Sequence, residues 1–107
     1  MLSDLQSGVS AQPVMERPVI NAGDYLNKLA GEQIEYECRR KLDGGAKEIV
    51  LNFAETEIVN SIGISILLGI IDLASERGAR IVLSDVRDET IELFDMLGVT
   101  RHVTIAE

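Results

Sequence analysis

Apolar residues along this chain fall into two kinds of pattern. Short continuous runs, EIVLNF at 48–53 and RIVL at 80–83, alternate with longer stretches in which apolar residues recur every three or four positions. The short runs predict buried strands and the longer stretches predict helices. Leu26, Ala30, Ile34, Cys38 and Leu42 form one stripe, predicting a helix from about Asn27, a natural N-cap, to Leu42, ended by Gly44 and Gly45. Its acids come early and its bases late, which suits the helix dipole. A brief extended piece is expected at Ile58–Val59, then a long helix from Ser61 to Glu76 that stops at Gly78. A last amphipathic helix is expected over Asp88–Leu97, with Ile91, Leu93, Phe94 and Leu97 on its apolar side and Gly98 after it. Val103–Ile105 reads as a final strand.

The N-terminal stretch is patterned differently. Residues 1–13 are small and polar and read as a flexible arm preceding a domain at 14–107. Val14–Ile20 reads as a strand, confined by Pro18 to a sheet edge, and Gly23-Asp24 as a turn. The resulting order, β-α-β-β-α-β-α-β, predicts a single α/β domain with a largely parallel sheet and helices against it.

The long helix departs from the usual amphipathic form. Ile62, Ile64, Ile66, Leu67, Leu68, Ile70 and Ile71 surround its first three turns. Such a helix is either deeply packed or leaves apolar surface for a partner. Gly63, Ser65 and Gly69 would let another backbone approach it. It is also too short and too interrupted to span a bilayer, which takes roughly 20 apolar residues.

Composition narrows the function. The 107 residues carry 10 basic and 18 acidic side chains, a net charge of −8. That balance argues against nucleic acid and against anionic membrane surfaces, since both demand Lys and Arg, and it suits a partner with a basic patch. No basic-then-apolar leader pattern opens the chain, so a cytoplasmic location is expected. His102 is the sole histidine and Cys38 the sole cysteine. Neither a hydrolytic triad nor a cysteine metal cluster can be assembled from them. Cys38 falls on an apolar stripe and reads as a small core residue. With no Walker or GxGxxG sequence, the reading is no catalytic residues, no metal, no cofactor and no enzyme.

Ser61 stands where a short strand turns into the long helix. Asn60 and Ser61 are both good cap residues, and capping alone is worth about 1 kcal/mol. A second role is open to the hydroxyl. Phosphorylation would add roughly −1.5 to −2 charge at pH 7. A helix N-terminus tolerates that charge, so a surface read by a partner would change without unfolding the domain.

The run IVLNF…IVNSIGISILLGII, followed by ASERGARIVLSDVRDETIELFDMLGV, resembles STAS domains of bacterial anti-sigma-factor antagonists. In that family a hydrophobic strand leads to an Asp-Ser-Ser/Thr-Gly motif opening a helix, and a helix of the LFDMxG type follows. Asn60-Ser61-Ile62-Gly63 stands at the motif and Leu93-Phe94-Asp95-Met96-Leu97-Gly98 at the later helix, within a match from about Gly23 to Ile105. The resemblance implies a sheet of four or five strands, mixed or mostly parallel, with helices mainly on one side. It implies a partner-switching regulator that binds an anti-sigma factor, a serine kinase of the histidine-kinase-like ATPase fold, and is reset by a PP2C-type phosphatase. The phosphorylated serine corresponds to Ser61, and Asn60, Ile62, Gly63, Ile64 and Ser65 to the motif and partner-binding positions. A monomer or weak dimer is expected.

Two departures from the motif are informative: Asn60 replaces the acid and Ile62 the second hydroxyl. They keep open a constitutive, unphosphorylated interaction or scaffold module. A small-ligand carrier, for a nucleotide or a lipid, is the remaining alternative.

Overall fold

The computed structural model describes residues 17–106. The expected arm at 1–13 and the start of the expected first strand, 14–16, lie outside the described residues. In chain order the elements are β1 (Val19–Asn21), β2 (Tyr25–Leu26), α1 (Lys28–Asp43), β3 (Glu48–Asn52), β4 (Ile58–Val59), α2 (Ser61–Glu76), β5 (Arg80–Ser84), α3 (Asp88–Met96), a 3-10 turn (Val99–His102) and β6 (Thr104–Ile105). Among the described residues the main sheet has four strands in the order β1-β3-β5-β6, and β2 pairs with β4 in a separate two-stranded ladder. Every pairing among the described residues is parallel.

β3 and β5 are central because their residues are apolar on both faces, as buried parallel strands require. The register Ile49↔Ile81, Val50↔Val82 and Leu51↔Leu83 sorts their side chains by face. Ile49, Leu51, Ile81 and Leu83 belong to the main core with Ile34 and Cys38 of α1, Leu67 and Ile70 of α2 and Phe94 of α3. Val50 and Val82 are buried but fall outside that cluster. The three described helices therefore pack on one face of the sheet. At the N-terminal end of the sheet, Arg80 and Arg17 both bond Glu48. The Arg80 hydrogen bond, with help from Arg17, holds the Glu48 carboxyl below its usual range.

Pro18, expected inside a strand over Val14–Ile20, lies just before β1: its carbonyl accepts the Val50 N–H at 2.8 Å, and the described strand begins at Val19 and runs on to Asn21. Two details differ from the sequence expectation. Asn27 caps α1 as expected, accepting the Ala30 N–H at 2.9 Å, but Leu26, counted in the α1 stripe, is a residue of the unexpected strand β2 and is 1% exposed. The α3 helix ends at Met96, and Leu97, expected on its apolar side, is exposed while Phe94 is fully buried against Phe53 with ring centroids 5.7 Å apart.

α2 resolves the question its sequence raised. Ile64, Leu67, Ile70, Ile71 and Ala74 are buried, and Ile66 and Leu68 pack partly against the core. Ser61, Ser65, Gly69, Asp72 and Glu76 form its exposed stripe, with Ile62 as the one large apolar residue left mostly in solvent. Against expectation, Gly69 is approached by nothing within 4 Å. The close contacts are made elsewhere. A Cβ at Gly31 of α1 would lie 3.1 Å from the Ile66 side chain, so the α1–α2 crossing depends on that missing atom.

Cys38 is wholly buried, and burial, with Glu37 and Glu35 adding to it, pushes its thiol up to about 12. The sign of the linkage follows. An unfolded thiol ionises near pH 8.5 while the folded one keeps its proton, so stability is fully present below that pH and falls as pH rises toward 12. The expected result is that a thiol-reactive dye labels the native protein at pH 8 orders of magnitude more slowly than the urea-unfolded chain. Rapid native labelling would contradict the burial.

Candidate functional site

The site is built where the small β2–β4 ladder delivers the chain to α2. Thr56, 3% exposed, donates its hydroxyl to the Gly23 carbonyl at 2.5 Å and so locks the β1–β2 turn against the β3–β4 loop. The N–H groups of Glu57 and Ile58 both donate to the Asp24 carbonyl, at 2.9 and 3.3 Å. The ladder then pairs Tyr25 with Ile58 and Leu26 with Val59. Side chains alternate, so Leu26 is buried while Tyr25 and Ile58 share the outer side, 40% and 56% exposed.

One step further, the Asn60 N–H donates to the Leu26 carbonyl at 3.0 Å, and Asn60 becomes the N-cap of α2. Its Oδ1 accepts the Gly63 N–H at 2.8 Å, and its carbonyl accepts the Ile64 N–H at 3.0 Å. Two of the first-turn donors are thereby satisfied. Asn60 Nδ2 donates to the Tyr25 hydroxyl at 3.3 Å. Ser61 is the first helical residue and is exposed, with exposed Ile62 next to it. The N–H groups of Ser61 and Ile62 precede any intrahelical acceptor, and no acidic side chain occupies the first turn of α2. An anion on the Ser61 hydroxyl would meet free donors and the positive end of the helix dipole.

The expected motif residues are thus split by the helix. Asn60, Ser61, Ile62 and Ser65 reach the surface. Gly63 and Ile64 face inward: Ile64 is 5% exposed, and a Cβ at Gly63 would collide with the Leu26 carbonyl. Their place in the motif is to let α2 start against β2. Two residues that sequence reasoning passed over belong to the site, Tyr25 and Thr56. An exposed aromatic in a chain with two Tyr, two Phe and no Trp was the available signal for the first. His102 is exposed in the 3-10 turn, remote in sequence from the site. Among the described residues, no group of three or more His, Cys, Asp or Glu is placed to hold a metal ion, and no helix is long and apolar enough to cross a membrane.

The cap also makes a stability prediction. Asn60→Ala should cost about 1 kcal/mol, because the Gly63 N–H loses its acceptor. Asn60→Asp should cost less than Asn60→Ala, since a carboxylate keeps the capping oxygen and adds charge where the dipole favours it. Urea unfolding of the three proteins measures both differences, and equal losses for the two variants would contradict the geometry.

The fold has close counterparts. The TM1081 protein of Thermotoga maritima superposes with a TM-score of 0.73 at 17% identity, over 83% of this chain and 72% of that one. The anti-sigma factor antagonist SpoIIAA in its unphosphorylated form gives 0.66 at 20% identity, over 83% of this chain and 77% of that one. The phosphorylated form of SpoIIAA, described as a Bacillus cell fate determinant, gives 0.64 at 22% identity, over 83% and 81%. At such identities the likeness is one of fold. No curated protein matches the sequence. The STAS domain family model, by contrast, matches residues 19–107, from the first residue of β1 onward. With the α/β order, the parallel four-stranded sheet and the capped Asn60-Ser61-Ile62-Gly63 turn in place, the chain belongs to the STAS domain family.

Proposed function

We propose that this protein is a partner-switching regulator of the anti-sigma-factor antagonist type, acting by binding and not by catalysis, in the cytoplasm where a kinase and ATP can reach it. In its unmodified form it binds an anti-sigma factor that is also a serine kinase, and phosphorylation of Ser61 releases it. A PP2C-type phosphatase restores the hydroxyl. The observation that carries this reading is the placement of Ser61. It is an exposed hydroxyl at the first position of a capped helix, beside Ile62 and close in the chain's ladder to the outward pair Tyr25 and Ile58. An apolar patch supplies affinity, and the hydroxyl supplies a place where one charge changes it.

The test is incubation with the partner kinase and ATP, followed by mapping of the phosphate by mass spectrometry. Phosphate on Ser61, absent from Ser61→Ala, is the expected result; stoichiometric binding with no phosphate on Ser61 sinks the switch. Asn60 adds a prediction on rate. An acid at that position would place a carboxylate beside the Ser61 hydroxyl, so Asn60→Asp should be phosphorylated faster than the native chain under the same conditions. A constitutive binding module is the second reading, favoured by the uncharged Asn60 and by the apolar Ile62. It is distinguished by partner binding that ATP leaves unchanged.

A further inference from the structure

A groove of about 770 Å³ runs between the β1–β2 segment and the outer side of α1. Its apolar wall includes Tyr25, Leu29 and Tyr36, the last two each 64% exposed. Among the described residues, every charged one lining it is acidic: Asp24, Glu32 and Glu37. We infer that this groove is a docking site for a segment of a partner protein in which basic residues alternate with apolar ones.

Charge complementarity selects that occupant. Three carboxylates around an apolar channel, on a chain of net charge −8, favour a ligand that brings positive charge. A second copy of the chain would bring eight more negative charges. The chain's own residues 1–16 offer Leu2, Leu5 and Val9 but carry two acids, Asp4 and Glu16, and no base. The exposed Lys28–Glu32 pair at 3.6 Å is of the weak surface kind that an incoming cation can replace. The groove is also contiguous with the candidate site, because Tyr25 lines it and accepts the hydrogen bond from Asn60. A segment seated here and a surface seated on Ile62 could therefore belong to one partner. The groove's chemistry is independent of whether Ser61 is modified.

The experiment is a titration of the isotopically labelled full chain with a short peptide alternating lysine and leucine, read by amide chemical shifts. Expected are shifts at Leu29, Gln33 and Tyr36, reversal by added salt, and a loss of affinity of about tenfold in both Tyr36→Ser and Glu32→Lys. Shifts centred on another face, or equal binding by a peptide alternating glutamate and leucine, would overturn the proposal. So would groove resonances that move with protein concentration, which would mean a second copy covers it. A nitroxide on Ser7→Cys that broadens the groove resonances would assign it to the chain's own N-terminus; the burial of Cys38 keeps that label specific.

Discussion

Replacing Gly63 by alanine is expected to destabilise the fold by about 3 kcal/mol, at the upper end of what overpacking usually costs. The added Cβ would strike the Leu26 carbonyl oxygen and lie 2.7 Å from the Leu26 carbonyl carbon and 3.0 Å from its Cγ. Backbone atoms cannot rotate aside as a side chain does. The same carbonyl accepts the Asn60 N–H, and Leu26 is held in the ladder opposite Val59. Any shift that admits the methyl group therefore loosens β2, the Asn60 bond and the start of α2 together. For a domain of this size each kcal/mol moves the melting temperature by roughly 4–8 °C, so a drop of roughly 12–24 °C is expected. Gly69→Ala, six residues along the same helix, is the control. Nothing lies within 4 Å of a Cβ there, and alanine in a helix interior gains about 0.5–1 kcal/mol over glycine. The two variants should move the melting temperature in opposite directions. A Gly63→Ala protein that melts with the native one would remove the close approach on which the site's geometry rests.

That contrast between two glycines of one helix marks the limit of what the sequence carries. Its local signals are strong where an element's own residues determine it. Asn27 and Asn60 announce the starts of α1 and α2, and both side chains accept the bonds expected of caps. The β3 and β5 runs are apolar on both faces because the sheet buries both. β2 is different. Two residues, Tyr25 and Leu26, are extended only because Ile58 and Val59, more than thirty positions away, pair with them. Leu26 meanwhile keeps the four-residue spacing of the α1 stripe, so periodicity counts it with the helix face and gives no sign of a strand. Spacing also fails to separate Gly63 from Gly69, since both are small and both lie in α2, while the strand that approaches one of them is itself set by long-range pairing. The position of Ser61 was legible for the same reason that Tyr25 was not. A cap is a property of neighbouring residues, whereas the hydroxyl against Asn60 Nδ2 arrives from a distant strand.

Ser61→Glu is expected to weaken binding to the partner kinase by tenfold or more, about 1.4 kcal/mol or above, while Ser61→Ala stays within about threefold of the native protein. The argument rests on what surrounds the hydroxyl. Ser61 is exposed, and as the first helical residue it donates no side-chain bond that the fold needs; the cap is provided by Asn60. Alanine at this position therefore removes the acceptor for phosphate and little else, and alanine is the best intrinsic helix former. Glutamate puts a carboxylate into the first turn of α2, where the dipole accepts it at a gain of about 0.3–1 kcal/mol. The folded state should accordingly melt no lower than the native one, which separates a binding defect from an unfolding defect. The cost appears only in the complex. Ile62 and Ile58 are more than half exposed and offer an apolar contact, and a charge brought beside such a contact must be stripped of water when the partner covers it. Phosphate, with roughly −1.5 to −2 charge, would exceed the effect of the single glutamate charge. Titration calorimetry of the three proteins against the kinase, with melting curves recorded alongside, measures the two effects separately. Equal affinities for Ser61→Ala and Ser61→Glu would remove Ser61 from the interface, whereas a joint loss of affinity in both would assign the hydroxyl itself a binding role in place of a switch.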